Sequence, residues 1–179
     1  MGVNNPTLAM DLALGAAAWA GGWCRRWAVQ RVRARLARWR TAAPTERGGP
    51  RGQYGSMFER RVAAVLARLW PAARWRLHER PAWLTYPPTG RRLELDFWDE
   101  QAGVAVEADG LQHRVFVPGM HRTRAAFAAQ RRRDRWKDRA CAARGVVLLR
   151  VPDTESLSEA DIERCLRQRA AAAGLPIFR

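Results

Sequence analysis

Apolar residues at Phe58, Val62, Val65, Leu66 and Leu69 recur at helical spacing, just after Ser56-Met-Phe-Glu59, whose Ser and Glu three apart fit a capping box. Pro71 stops that pattern, and Trp75-Arg-Leu-His-Glu-Arg80 predicts a short strand. Ala82 to Gly90, carrying Pro87-Pro88, predicts a loop. Two runs then alternate with period two, Arg92-Leu-Glu-Leu-Asp-Phe-Trp98 and Val104-Ala-Val-Glu-Ala-Asp-Gly110, with Asp99 to Gly103 between them, which predicts a β-hairpin. Val115 to Met120, with Pro118-Gly119, is a loop before a long basic helix that starts near Arg122 or Thr123 and stops at Gly145 in the C′ position. Val146 to Val151 is almost wholly apolar and predicts a strand buried on both faces, ended by Pro152-Asp153. A last helix, from about Ser158 to Ala173, carries Ile162, Leu166 and Arg169. This order predicts an α/β fold with a mixed β-sheet flanked by helices.

The chain divides into a basic N-terminal extension and linker over 1–55, an α/β core over 56–153, and a C-terminal helix over 154–179 packed on that core. Leu12 to Gly22 is too short and too rich in Gly and Ala for a membrane span, and no basic region precedes it as a secretory signal needs. An intracellular location, cytoplasm or nucleus, is expected. Residues 23–40 predict a basic amphipathic helix with Ala28, Val32, Leu36 and Trp39 on one face. It is either an arm that meets DNA or a membrane surface, or a helix docked on the core with its arginines in water. Thr41 to Gly55 reads as a linker.

Charge sharpens this picture. Among 179 residues, 32 Lys and Arg face 17 Asp and Glu, a net charge of +15, and Lys137 is the only lysine. Abundant Ala and Arg, with Ile only at Ile162 and Ile177, trace part of that excess to coding bias. The field it creates still favours a polyanionic partner, nucleic acid first and an anionic membrane second. Cys24, Cys141 and Cys165 are scattered, so neither a disulfide framework nor a cysteine-rich zinc site is supported.

Alternation also assigns the hairpin faces. Leu93, Leu95 and Phe97 on one strand and Val104, Val106 and Ala108 on the other should share a core, which sets Phe97 beside Val106 and leaves a four-residue turn. Asp96 then lies opposite Glu107, and Glu94 near Asp109. Opposed like charges destabilise a strand pair, so something must offset them. A divalent cation held by hard oxygen ligands is one answer; a solvated face neutralised by arginines such as Arg92 and Arg114 is the other. His113 follows at the strand's end. On the long helix, Phe127, Gln130, Asp134, Lys137 and Cys141 form one stripe facing the sheet, where Asp134 and Lys137 need partners, unless they are simply a surface pair.

These residues resemble a known pattern: Leu95-Asp96-Phe97, then Val106-Glu107-Ala-Asp109-Gly110-x-Gln112-His113, then Gln130-x-x-x-Asp134-x-x-Lys137, then Gly145-Val-Val-Leu-Leu-Arg150. The pattern is similar to the very-short-patch-repair endonucleases and the EDxHD homing endonucleases, divergent relatives of the PD-(D/E)xK nucleases with a restriction-endonuclease-like core. The resemblance runs from about Ser56 to Pro152 and implies a metal-dependent DNA endonuclease that hydrolyses phosphodiester bonds by nicking or cutting duplex DNA. By resemblance, Glu59 matches the leading Glu, Asp96 the metal-holding Asp, His113 the general acid or base, and Asp134 the residue that orients it. Glu107 or Ala108 falls at the variable position.

The chain departs from the pattern at Asp109, which stands where a PD-(D/E)xK enzyme carries its Lys; Lys137 or His113 would do that work. The zinc ligands of the repair enzymes have no counterpart here. The implied catalytic set is Glu59, Asp96, Glu107, His113, Asp134 and Lys137. Mg²⁺ (or Mn²⁺) would sit on Asp96 and Glu107, with Asp109 as a third ligand, and no small-molecule cofactor is implied. Arg122, Arg124, Arg131, Arg132, Arg133 and Arg135 would contact DNA phosphates. Two rival readings stand beside this one: a non-catalytic nucleic-acid-binding protein on a nuclease-like fold, and a membrane-surface or scaffold protein acting through its basic N-terminal helix. Trp98 and Trp136 read as core residues before they read as base-stacking platforms.

Overall fold

The computed structural model describes residues 34, 53–110, 115–118, 121, 123–153 and 157–177. The predicted basic helix over 23–40, the linker up to residue 52, His113 and Arg122 therefore lie outside the described residues, apart from helical Ala34. Ser56 caps α1 (Met57–Leu69) by accepting the Glu59 N–H at 3.1 Å. The Glu59 carboxylate reaches past the cap to the Gly55 N–H at 2.7 Å, so the expected reciprocal bond is made one residue further out. Phe58, Val62, Val65, Leu66 and Leu69 are all buried, as their spacing predicts.

The strands follow as β1 (Arg76–Glu79), β2 (Thr85–Tyr86), β3 (Arg91–Arg92), β4 (Leu95–Asp99) and β5 (Val104–Asp109). Then come α2 (Arg124–Ala143), β6 (Val147–Pro152) and α3 (Glu159–Ala172). The main sheet has the order β1-β4-β5-β6. β1, β4 and β5 form an antiparallel meander, and β6 returns parallel to β5 after the α2 crossover. The protein is thus α/β with a mixed sheet flanked by helices. Phe97 pairs with Val106 and Asp99 with Val104, which is the register alternation predicts. Gly103, at φ +69°, closes the four-residue turn between them.

The two faces of the sheet carry separate cores. Phe97, Val106, Leu149 and Val151 pack with Val62 and Leu66 of α1 and with Ile162, Leu166 and Ala170 of α3. The other face sets Leu95, Trp98 and Ala105 against Cys141 of α2 and Val146. α3 is thereby part of the main core, and α2, with Trp83 and Leu84, covers the face from which Glu107 projects.

Three expectations need correction. Arg91-Arg92 does not extend β4; it pairs with Thr85-Tyr86 as a separate ribbon inside what reads as a loop, turning at Gly90 with φ +65°. Strands of two residues are too short to show a period. Leu93 and Leu95 do not share a face with Phe97: they join the α2-side core while Phe97 joins the other. The change of face occurs beside His78, whose φ of +53° lies in the left-handed region while its neighbours hold the pairs Leu77–Phe97 and Glu79–Leu95. Finally, β6 is an edge strand and only part-buried, whereas β5 is covered on both sides. Among the described residues, no helix is long and apolar enough to cross a membrane.

Candidate functional site

β4 and β5 bring Asp96 and Glu107 side by side where their pairing ends. The Ala108 N–H donates to Asp96 Oδ2 at 2.8 Å, and the Asp96 N–H donates to Glu107 Oε1 at 3.4 Å. Each carboxylate thus takes a backbone donor from the other's strand. Glu107 is 2% exposed under α2, from which the Lys137 ammonium donates to its Oε2. Burial pushes the Glu107 carboxyl up to about 7, against the downward pull of Lys137. Burial likewise raises Asp96, opposed by its bond from Ala108 and by Lys137, and assisted by the charges of Glu59 and Asp109.

A second group adjoins Asp96 on its other side. His78 Nδ1 lies 3.0 Å from Glu94 Oε1, and its Nε2 lies 3.3 Å from Glu59 Oε2. Arg80 also bonds Glu94, at 2.9 Å. Burial works against charge on His78, but the Glu94 bond and the Glu59, Glu94 and Asp96 carboxylates overcome it and raise its pKa. A carboxylate at each ring nitrogen favours the imidazolium, the form that can donate to both. Ligand atoms of His78, Glu94 and Asp96 all lie within 4.8 Å of one another, so the same three groups could hold a metal ion once the imidazole gives up its proton.

Glu59, Asp96, Glu107 and Lys137 are therefore drawn together from α1, β4, β5 and α2. Asp109 is engaged elsewhere: Arg150 Nη1 donates to its two oxygens at 2.8 and 2.9 Å. Arg150 also bonds Asp138 and reaches the Asp134 carbonyl at 3.5 Å. Burial opposes its charge, but Asp109 and Asp138 hold the guanidinium pKa raised.

Asp134 is part-buried on α2, whose predicted stripe is the packed face. Lys137 and Cys141 are buried, Gln130 bonds His121, and Phe127 meets the His121 ring edge-on. Arg124, Arg131, Arg132, Arg133 and Arg135 are exposed, Arg124 lying over Phe116 and Arg131 over Phe127. His113 and Arg122 are not among the described residues. Sequence reasoning missed His78 and Arg150. The first meets Glu94 from a backbone shape that periodicity does not reveal; the second hid in an apolar strand, where a lone arginine was the available signal.

No family model matches the chain, and no solved structure matches it. It is 44% identical over 80 residues to an uncharacterized protein, 033L, of Invertebrate iridescent virus 3, a match covering 45% of this chain and 41% of that protein. Similarity to the uncharacterized protein 307L of Invertebrate iridescent virus 6 is 36% over 80 residues, covering 42% and 41%. With the uncharacterized protein 094L of Frog virus 3 it is 39% over 83 residues, covering 46% and 51%. The chain spans about half the length, or less, of these viral relatives.

Proposed function

We propose that this protein is a metal-dependent DNA endonuclease that hydrolyses phosphodiester bonds, built on the restriction-endonuclease-like core of the very-short-patch-repair and EDxHD enzymes. The observation that carries this reading is part-buried Asp96 beside buried Glu107 and Lys137, delivered by two paired strands and a helix in a chain of net charge +15. The order helix, three antiparallel strands, helix, parallel strand supports the same reading.

The donor chemistry fits Mg²⁺ or Mn²⁺. Asp96 and Glu107 offer adjacent hard oxygens from two paired strands. A bound divalent ion would act as Lewis acid toward a phosphate oxygen and lower the pKa of a coordinated water. Lys137 then places a compact ammonium at the edge of the site, where it can hold a phosphate oxygen or orient water. The Glu59–His78–Glu94 chain fixes a proton beside Asp96, and His113 remains the proposed acid or base. The arginines along the outer turns of α2 supply phosphate contacts without reading sequence.

A second reading is favoured by one observation. Lys137 already neutralises Glu107, and Arg150 neutralises Asp109, so the cluster is balanced without a metal, as in a non-catalytic nucleic-acid-binding protein. Supercoiled plasmid incubated with the full chain separates the two. Nicking with Mg²⁺ or Mn²⁺ that stops in EDTA, and falls about a hundredfold or more in Asp96→Ala and Glu107→Gln, supports the hydrolase. Cleavage unchanged in both variants points to a contaminating nuclease. DNA binding with no cleavage under any divalent ion favours the second reading.

A further inference from the structure

α2 has a second face, turned by about 150° from Lys137. Arg132, Arg135, Trp136 and Arg139 fall at i, i+3, i+4 and i+7 on it, opposite the β2–β3 ribbon. Between them lies a cleft of about 500 Å³, whose far wall is Tyr86, Pro87 and Pro88. That volume is within the roughly 300–1,000 Å³ of small-ligand sites. Trp136 is fixed in place: its indole N–H donates to the Thr85 carbonyl at 3.1 Å, and its ring meets Tyr86 edge-on at 6.3 Å. The Arg139 guanidinium lies 5.8 Å from the indole centroid. The ribbon is closed by Thr89 and Gly90 N–H groups donating to the Tyr86 carbonyl.

No carboxylate lines this cleft, and among the described residues none pairs with its three arginines. Other exposed arginines are of both kinds: Arg68 pairs with Glu159 and Arg164 with Asp161, whereas Arg91 and Arg133 pair with no carboxylate among the described residues, so the cleft is set apart by bringing three such guanidinium groups beside aromatic rings. A groove with aromatic and proline rings on its walls and unneutralised guanidinium groups along one side is complementary to a flat apolar ring joined to phosphates. Duplex DNA presents its phosphates outward but hides its base faces in the stack. An unpaired strand presents both.

We propose that the cleft between α2 and the β2–β3 ribbon binds single-stranded nucleic acid, taking an unstacked base against Tyr86 and Trp136 and its flanking phosphates on Arg132, Arg135 and Arg139. This binding goes beyond the hydrolase reading, because it needs neither a metal nor the Asp96 cluster.

Fluorescence anisotropy of the full chain in EDTA tests it, with three fluorescein-labelled probes: a dT12 oligonucleotide, an abasic 12-mer with the same phosphates, and a 12-base-pair duplex. Binding of dT12 should exceed that of both other probes by about tenfold, and Tyr86→Ala, which leaves only Trp136 for the base, should shrink the difference between dT12 and the abasic strand severalfold. The double variant Arg132→Gln/Arg135→Gln, at exposed positions that leave the core intact, should flatten the dependence of log K on log salt by about 1.4. Equal affinity for dT12 and the abasic strand, preference for the duplex, or no response to Tyr86→Ala in a chain with unchanged circular dichroism would each overturn the proposal. Since a divalent-metal hydrolase is silent in EDTA, a chain that binds dT12 here yet never cuts plasmid loses the hydrolase and keeps the groove. One that cuts plasmid yet ignores the bases does the reverse.

Discussion

Lys137 and Glu107 stand thirty residues apart in the chain and meet as a buried ion pair between α2 and β5. Lys137 is 9% exposed and Glu107 2%, so each is the other's main compensation for leaving water. The pair joins the helix to the central strand at the point where Asp96 arrives from β4.

Removing one side of this pair should therefore cost more than removing both. In metal-free buffer at pH 8, Lys137→Met should destabilise the fold by about 3 kcal/mol, the usual loss when a buried charge is stranded. Lys137→Met/Glu107→Gln should recover most of that. Urea denaturation of the four proteins in a double-mutant cycle measures the coupling; additive losses would show that the pair does not act as a unit.

Stability without metal should fall as the pH rises. Glu107 titrates at about 7 in the folded protein against 4.5 unperturbed, and His78 and Asp96 are also raised. All three bind a proton more tightly folded than unfolded. Their contribution is fully present below the unfolded values and is lost as pH climbs, for Glu107 through the window from about 4.5 to 7. Thermal melts in EDTA should show the decline, and Glu107→Gln should remove part of it. Added Mn²⁺ should raise the melting temperature most at the alkaline end, where the carboxylates are free to bind it. A stability in EDTA that rises between pH 5 and 8 in the native chain and not in Glu107→Gln would contradict the assignment.

Arg150 ties β6 and α2 to Asp109 through a planar fork that lysine cannot reproduce. Arg150→Lys should lose about 2 kcal/mol in chemical denaturation, since one ammonium cannot serve Asp109, Asp138 and the Asp134 carbonyl together. A change within 0.5 kcal/mol, on the order of an ordinary surface substitution, would show the fork to be dispensable.

Gly145 ends α2 at φ +70°, and a Cβ placed there would meet nothing within 4 Å. Gly145→Ala should cost about 1 kcal/mol from backbone conformation alone, and Gly145→Asn less, because Asn enters the left-handed region more readily. Calorimetry distinguishes this from a steric penalty, which would make Asn the worse of the two.

The hairpin register, the ends of α1, α2 and α3, and the packed stripe of α2 were all legible in the chain, because each depends on local period, a cap or a stop residue. Ser56, Thr123 and Ser158 act as N-caps, and Gly145 takes the positive φ that ends α2. Asp96 beside Glu107 followed from strand alternation alone. Other features came only with the tertiary structure, since they join groups that nothing local relates. His78 meets Glu59 and Glu94 because its backbone leaves the strand region. Asp109 goes to Arg150 because β6 returns parallel beside β5, which makes them neighbours. Arg91-Arg92 leaves β4 for Thr85-Tyr86, and this ribbon builds the cleft against Trp136. Period and capping act over a few residues and can be read along the chain. Which charges neutralise each other is settled by whichever segments share a buried space, and that is a property of the whole fold.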